Sequence, residues 1–187
     1  MSGCGGSQPA TQSTAANVVS ANTARPAVTT TAASEEKGLI ALSSPALYGS
    51  ESAPGQILAR YTCHGANISP PLHWGDVPHA TKEFLLVLAY QDSHGDLHAA
   101  WAVAGLKPAL HALAAGQLPQ RAVVGKNDHG QQRYSLCLAK GKHRYLMLLM
   151  ALPHQLHAKP GFNAIKTALE AQSTALAQGR ISFWYPR

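Results

Sequence analysis

The stretch AYQDSHGDLHAAW, residues 89–101, sets Gln91, Asp92, His94, Asp96 and His98 between two apolar runs. Two histidines flanking an acid, as in HGDLH (94–98), suit zinc or copper, for which imidazole is a common ligand. In an extended segment, positions i and i+4 also share a side. The spacing supplies no evident third ligand, so no metal site is expected. Asp92 reads equally well as an acid that caps a solvated turn. Covalent hydrolysis needs an activated nucleophile, and none is evident. Gly-x-Ser-x-Gly is absent, and Ser69 lies between Ile68 and Pro70. Neither catalysis nor a cofactor is expected.

The chain has 187 residues, enough for one domain with a core. Only 13% are charged, yet the formal net charge is +6. Arg25, Lys37, Glu35 and Glu36 cancel within residues 1–37, so the excess lies in the remainder. A moderately basic domain suits anionic partners such as phosphate esters or lipid head groups. Lysines and arginines are scattered singly, with no basic run, which argues against nucleic acid. No window holds about 18 continuous apolar residues, so no membrane-spanning segment is expected.

Residues 1–37 are dominated by Ser, Thr, Ala, Gly, Asn and Gln without an apolar period. Such a segment cannot bury enough apolar surface to offset its ordering entropy. It reads as a flexible tether, followed by a single domain over 38–187. Cys4 in MSGCGGS resembles the lipobox cysteine of bacterial lipoproteins. The resemblance is partial: Met1 stands where Leu is usual, and three residues precede Cys4 where a signal carries an apolar region. The expectation is a lipid-anchored protein of the cell envelope or periplasm, touching a membrane only through that anchor. A free cysteine in a cytoplasmic protein is the alternative. If Cys4 carries lipid, Cys63 and Cys137 remain as an even pair, open to a disulfide in an oxidising compartment. Two reduced core thiols are the other reading.

From Gly38 onward, short apolar runs alternate with turn chemistry. GLIALSSPAL, QILARYTC, EFLLVLAY (83–90), AAWAVAGL (99–106) and RAVVG (121–125) predict strands, with EFLLVLAY central and buried. KNDHG (126–130) predicts a turn. QRYSLCLA and HRYLMLLMAL predict a hairpin about KGK. PALHALAAGQLP predicts a short turn or helix. NAIKTALEAQSTALAQG (163–179) predicts a helix capped by Asn163 and ended by Gly179. RISFWYP predicts a last strand. Many strands with one late helix give a mainly β, sandwich-like domain.

The block CHGANISPPLHWGDVPHATKEFLLVL (63–88) resembles the signature of the phosphatidylethanolamine-binding protein family, in its bacterial Raf-kinase-inhibitor-like branch. Cys63, Gly65, Asn67, Ile68, Ser69, Pro70, Pro71, Leu72 and Trp74 fit its pattern in order, and Val77, Pro78, Thr81, Lys82 and Phe84 continue it. A second block, GKNDHGQQRYSLCLAKGKHRY (125–145), is similar to the family's Gly-x-Asn-Asp and Gly-x-His-Arg-Tyr patterns. The resemblance spans roughly residues 40–187. It implies an antiparallel β-sandwich with short peripheral helices and one C-terminal helix. It also implies a small pocket for a phosphate-like anion or phospholipid head group.

In the family, that pocket is lined by an Asp-Pro-Asp-Ala-Pro motif, the His of a His-Trp pair, and the His and Tyr of Gly-x-His-Arg-Tyr. Gly141, His143 and Tyr145 match, and strand alternation puts His143 and Tyr145 on one face. Trp101 matches the Trp of the His-Trp pair, but Ala100 stands where the His belongs. Gln91-Asp92-Ser93-His94 replaces the acidic motif, leaving Asp92 as its surviving acid. His98, two residues before Ala100, is the candidate stand-in for the missing His. The ligand set implied is therefore Asp92, His98, Trp101, Gly141, His143 and Tyr145. The expected function is a non-enzymatic binding protein with a partly degraded pocket. A protein-interaction or inhibitor module, with a protein partner, is the alternative.

Overall fold

A computed structural model describes residues 38–47, 55–137 and 141–186. Cys4 and the residue 1–37 tether lie outside the described residues. Among the described residues, ten strands are seen: β1 Gly38–Leu39, β2 Ala41–Ser43, β3 Gly55–Gln56, β4 Leu72–Gly75, β5 Glu83–Gln91, β6 Leu97–Leu106, β7 Ala112–Leu113, β8 Val123–Val124, β9 Lys142–Leu152 and β10 Ala177–Pro186. One α-helix, α1, spans Ala164–Thr174.

The larger sheet runs β1-β10-β9-β5-β6-β8, with β3 also pairing β10; the smaller runs β2-β4-β7. The long ladders are antiparallel, as expected, but β1 and β3 both pair β10 in parallel, so the larger sheet is mixed. EFLLVLAY is central because it is covered on both faces. Phe84, Leu86 and Leu88 point toward the smaller sheet, in one core cluster with Leu72, Trp74 and Leu113. Leu85 and Val87 point the other way, in a second cluster with Met150, Leu152 and α1's Ala164, Ala168 and Ala171. Small alanines let the helix lie close on the sheet.

Three local expectations fail where tertiary pairing outweighs local pattern. QILARYTC is strand only at Gly55–Gln56, and Ala59–Tyr61 forms a 3-10 turn. PALHALAAGQLP forms turns at 108–109 and 115–116, one of the two forms expected, and Ala112–Leu113 between them join the smaller sheet as β7. The QRYSLCLA hairpin does not form among the described residues. There the Ser135 N–H donates to Ala100 O, and the Leu136 N–H to Asn67 Oδ1. β9 is flanked instead by β5 and β10. The helix ends at Thr174, well before Gly179, because the Leu176 N–H already donates to Ala151 O on β9 and β10 begins at Ala177. Its start is as expected, with Asn163 Oδ1 accepting from the Lys166 N–H.

Gly179 is therefore a strand residue, and its missing side chain serves packing. A Cβ there would meet Leu42 Cβ at 2.7 Å and Ile40 O at 2.8 Å. Gly179→Ala is expected to cost about 1–3 kcal/mol by overpacking. Urea unfolding measures this, and a change below about 0.5 kcal/mol would show that segment 40–42 yields freely.

Candidate functional site

Strands β5 and β6 slip by one register step between Leu88 and Ala89, where Leu88 pairs Trp101 but Ala89 pairs Ala99. Ala100 is the extra residue of this bulge. The slip turns Ala100, Trp101 and His98 to the same side of the sheet, the side of Tyr90 and Tyr145. His98 thus comes directly opposite Tyr90, and their rings stack at 5.1 Å.

His98 sits between two carboxylates. Its Nε2 is 2.9 Å from Asp92 Oδ2, and its Nδ1 is 3.3 Å from Asp128 Oδ2. Asp92 is itself held by its turn, where Oδ1 accepts from the N–H groups of His94 and Asp96. Asp128 comes from the KNDHG turn, and its Oδ1 accepts from the Ala99 N–H at 2.9 Å. Asn127 shapes that turn by accepting from His129 and Gln131. Burial first, and then the nearby Asp128 carboxylate, push the Tyr90 pKa up.

A neutral imidazole has one N–H, so it can satisfy only one of two carboxylates. The bond to Asp92 accordingly raises the His98 pKa, against a smaller opposing effect of burial. The same bond holds Asp92 down to about 2, helped by the backbone donors and opposed by burial. Both His98 nitrogens are engaged within the protein. His98 bridges the turn that carries Asp92 and the turn that carries Asp128.

The other expected residues divide. His143 lies at the start of β9, with Nδ1 donating to Gln91 O at 3.4 Å and its ring edge-on to Tyr90. Gly141 precedes it with φ +93°, and a Cβ there would lie 3.8 Å from His143 Nε2. Tyr145 shares the face of His143 but is only 1% exposed, stacked on Phe183 and tilted against Tyr90. Trp101 is 2% exposed, packed edge-on against Tyr134. Both aromatics lie in the larger core cluster. Cys63 and Cys137 are bonded to each other. His94 and Asp96 do not gather around His98 as metal ligands. Among the described residues, no group of three His, Cys, Asp or Glu side chains is arranged to hold a metal.

A groove of about 610 Å³ opens beside this network. Tyr90 and Asp92 edge one side, and Lys142, His143 and Arg144 the other. Arg144 faces away from His143, and its Nη2 donates to Ser182 Oγ at 3.2 Å. Lys142 Nζ stands 5.1 Å from the Trp184 ring centre. Sequence reading missed Asp128, Lys142 and Trp184. Asp128 was signalled by the Gly-x-Asn-Asp block, where it reads as an ordinary turn acid.

The phosphatidylethanolamine-binding protein family matches residues 49–185. The chain belongs to that family. A UPF0098 protein of Methanothermobacter thermautotrophicus is 33% identical over 139 residues, covering 71% of this chain and 92% of that protein. LppC of Mycobacterium tuberculosis, whose name carries the word lipoprotein, is 32% identical over 184 residues, covering 97% and 87%. The crystal structure of a phosphatidylethanolamine-binding protein homologue from Chlamydia trachomatis superposes with a TM-score of 0.69 at 27% identity, covering 80% of this chain and 99% of that one. Escherichia coli YbcL shares the fold, with a TM-score of 0.68 at 22% identity, covering 79% and 98%. This is thus a family member of UPF0098 type, with the mostly β family fold.

The His98 bridge makes stability depend on pH. A raised folded-state value means its contribution is fully present below the ordinary 6.5 and is lost as pH rises through the folded value. Asp92 acts oppositely: its contribution is present above 3.8 and is lost as pH falls toward about 2. Denaturant unfolding from pH 5 to 9 should show wild type losing more stability than His98→Ala on the alkaline side. Parallel curves for the two proteins would mean that His98 is not protonated between its acids.

Proposed function

We propose that this family member is a non-catalytic binding protein for a small phosphate-bearing ligand, seated in the groove at the start of β9. The observation that carries this reading is the run Lys142, His143, Arg144 along one wall of an approximately 610 Å³ cavity. Ligand sites are commonly of this size, with few polar groups placed to fix orientation. Lys142 offers a point charge and Arg144 a planar set of donors suited to phosphate oxygens. Asp92 stands across the groove, so an ammonium on the same ligand would meet an acid of lowered pKa.

A binding role, and not catalysis, fits the state of the titratable groups. His98 is clasped by two carboxylates, and Ser182 accepts from Arg144, a cation that cannot take its proton. The close packing of Tyr145 favours a second reading, a protein-interaction module whose family pocket has closed.

An envelope location through a lipid on Cys4 is supported by the name of LppC and by the Cys63–Cys137 disulfide, a bond that persists in oxidising compartments. Intact-mass analysis of native protein extracted from membranes is expected to show a lipid-sized addition on Cys4. An unmodified mass would remove the anchor.

For the ligand, titration calorimetry with inorganic phosphate and phosphoethanolamine is expected to show binding. Lys142→Ala should weaken it about tenfold, the effect of losing one charge-assisted hydrogen bond. No heat and no thermal shift at millimolar anion would favour the interaction module.

A further inference from the structure

The groove has a second wall that a bare phosphate does not use. Side chains alternate along β9, so Arg144 and Leu146 point to the helix side of the sheet, opposite His143 and Tyr145. On that side Arg144 pairs across to Trp184, and Leu146 to both Ser182 and Ala89. Leu97, paired with Gln91 at the end of β6, completes the row and is 50% exposed. Helix α1 covers only the other end of this face, over Leu85, Val87, Met150 and Leu152. The result is an apolar shelf of Leu97, Leu146 and Trp184 that α1 leaves open, flanked by Lys142 and Arg144.

We propose that this shelf makes the groove selective for an anion that carries an apolar body of single-ring size, such as an aryl or short-alkyl phosphate, over the bare anion. The inference rests on the reading of the groove as a phosphate-ligand site. Charge complementarity fixes the orientation of the occupant. The anionic end meets Lys142 and Arg144, and the apolar end lies on Leu146 and Leu97 against the Trp184 ring. A ring stacked there displaces the Lys142 ammonium from the face of Trp184 toward the phosphate, where it gains a full opposite charge in place of a ring quadrupole. Asp92 also lines the groove, but its carboxylate is bonded to His98 and to the His94 and Asp96 N–H groups, and Asp128 is bonded to His98, so neither acid faces an arriving anion unpaired.

Titration calorimetry of the wild-type chain with inorganic phosphate, phosphoethanolamine, phenyl phosphate and phenol separates the possibilities. Burying one ring face is expected to make phenyl phosphate bind about tenfold or more tightly than inorganic phosphate. Trp184→Ala and, independently, Leu97→Ser should collapse that ratio toward one. Leu97 is half exposed at a strand end, so its variant keeps the test valid if Trp184→Ala fails to fold. Equal affinities for inorganic and phenyl phosphate would overturn the shelf and leave the phosphate reading standing. Phenol binding as well as phenyl phosphate would overturn the anionic requirement and with it the proposed orientation. Absence of binding by all four would overturn both.

Discussion

Between Ala99 and Trp101, strand β6 carries one residue more than β5 can pair, and the arrangement of the site follows from that mismatch. Side chains alternate along a strand, so one inserted residue reverses the parity of everything before it. Without the slip, His98 would face α1. With it, His98 stacks on Tyr90, and its two nitrogens come between an acid from the β5–β6 turn and an acid from the 126–130 turn. The neighbouring backbone secures the second acid, because Ala99 donates to the Asp128 carboxylate and accepts from the Asp128 N–H. Ala100 itself is buried. Where the family's His-Trp pattern would put an imidazole, this chain has a methyl group in the core, and the imidazole of His98 stands two residues before it.

That relocation changes what the imidazole can do. A histidine with one acid partner keeps a second nitrogen for chemistry, as donor or base. A histidine between two acids has none left, and it favours the doubly protonated form. The bridge therefore joins two turns and holds the negative charge of Asp92 and Asp128 to one side. Positive charge collects on the opposite side of the sheet, where Lys142 and Arg144 open β9. Tyr145, from the same motif, is drawn inward by its stack on Phe183 and adds to the core beneath the groove.

The long elements were legible in the sequence because their signals are physical necessities of burial. EFLLVLAY must be apolar throughout, since a sheet and a helix cover its two faces, and HRYLMLLMAL begins polar where it leaves that cover. The two motif blocks pointed to the family for the same reason that they structure the site: Asn67 and Ser135 bond each other, and Cys63 and Cys137 join the two blocks. What could not be read was decided by partners far away in the chain. Two-residue strands such as β3 and β7 exist only because a neighbour offers a ladder. The helix pattern continues past Thr174, but β9 claims the Leu176 N–H. Asp128 sits in a run any turn could have, and a bulge has no residue signature when the extra residue is an alanine.

The groove also has a geometric origin in the lengths of the elements beneath it. An eleven-residue helix extends about 16 Å, whereas the eleven-residue strand β9 extends about 36 Å. Whatever direction α1 takes across the sheet, it cannot cover the whole length of β9, and its alanines fix it over the Met150 and Leu152 end. The helix therefore leaves the start of β9 uncovered, and among the described residues Lys142 and Arg144 are exposed there. Purely apolar side chains there would invite aggregation, and the chain instead alternates them with cations: Lys142, Arg144 and then Leu146, beside Trp184. A strand end left bare by a short helix and edged with positive charge is a concave amphipathic surface. Its chemistry distinguishes an anion with an apolar body from one without.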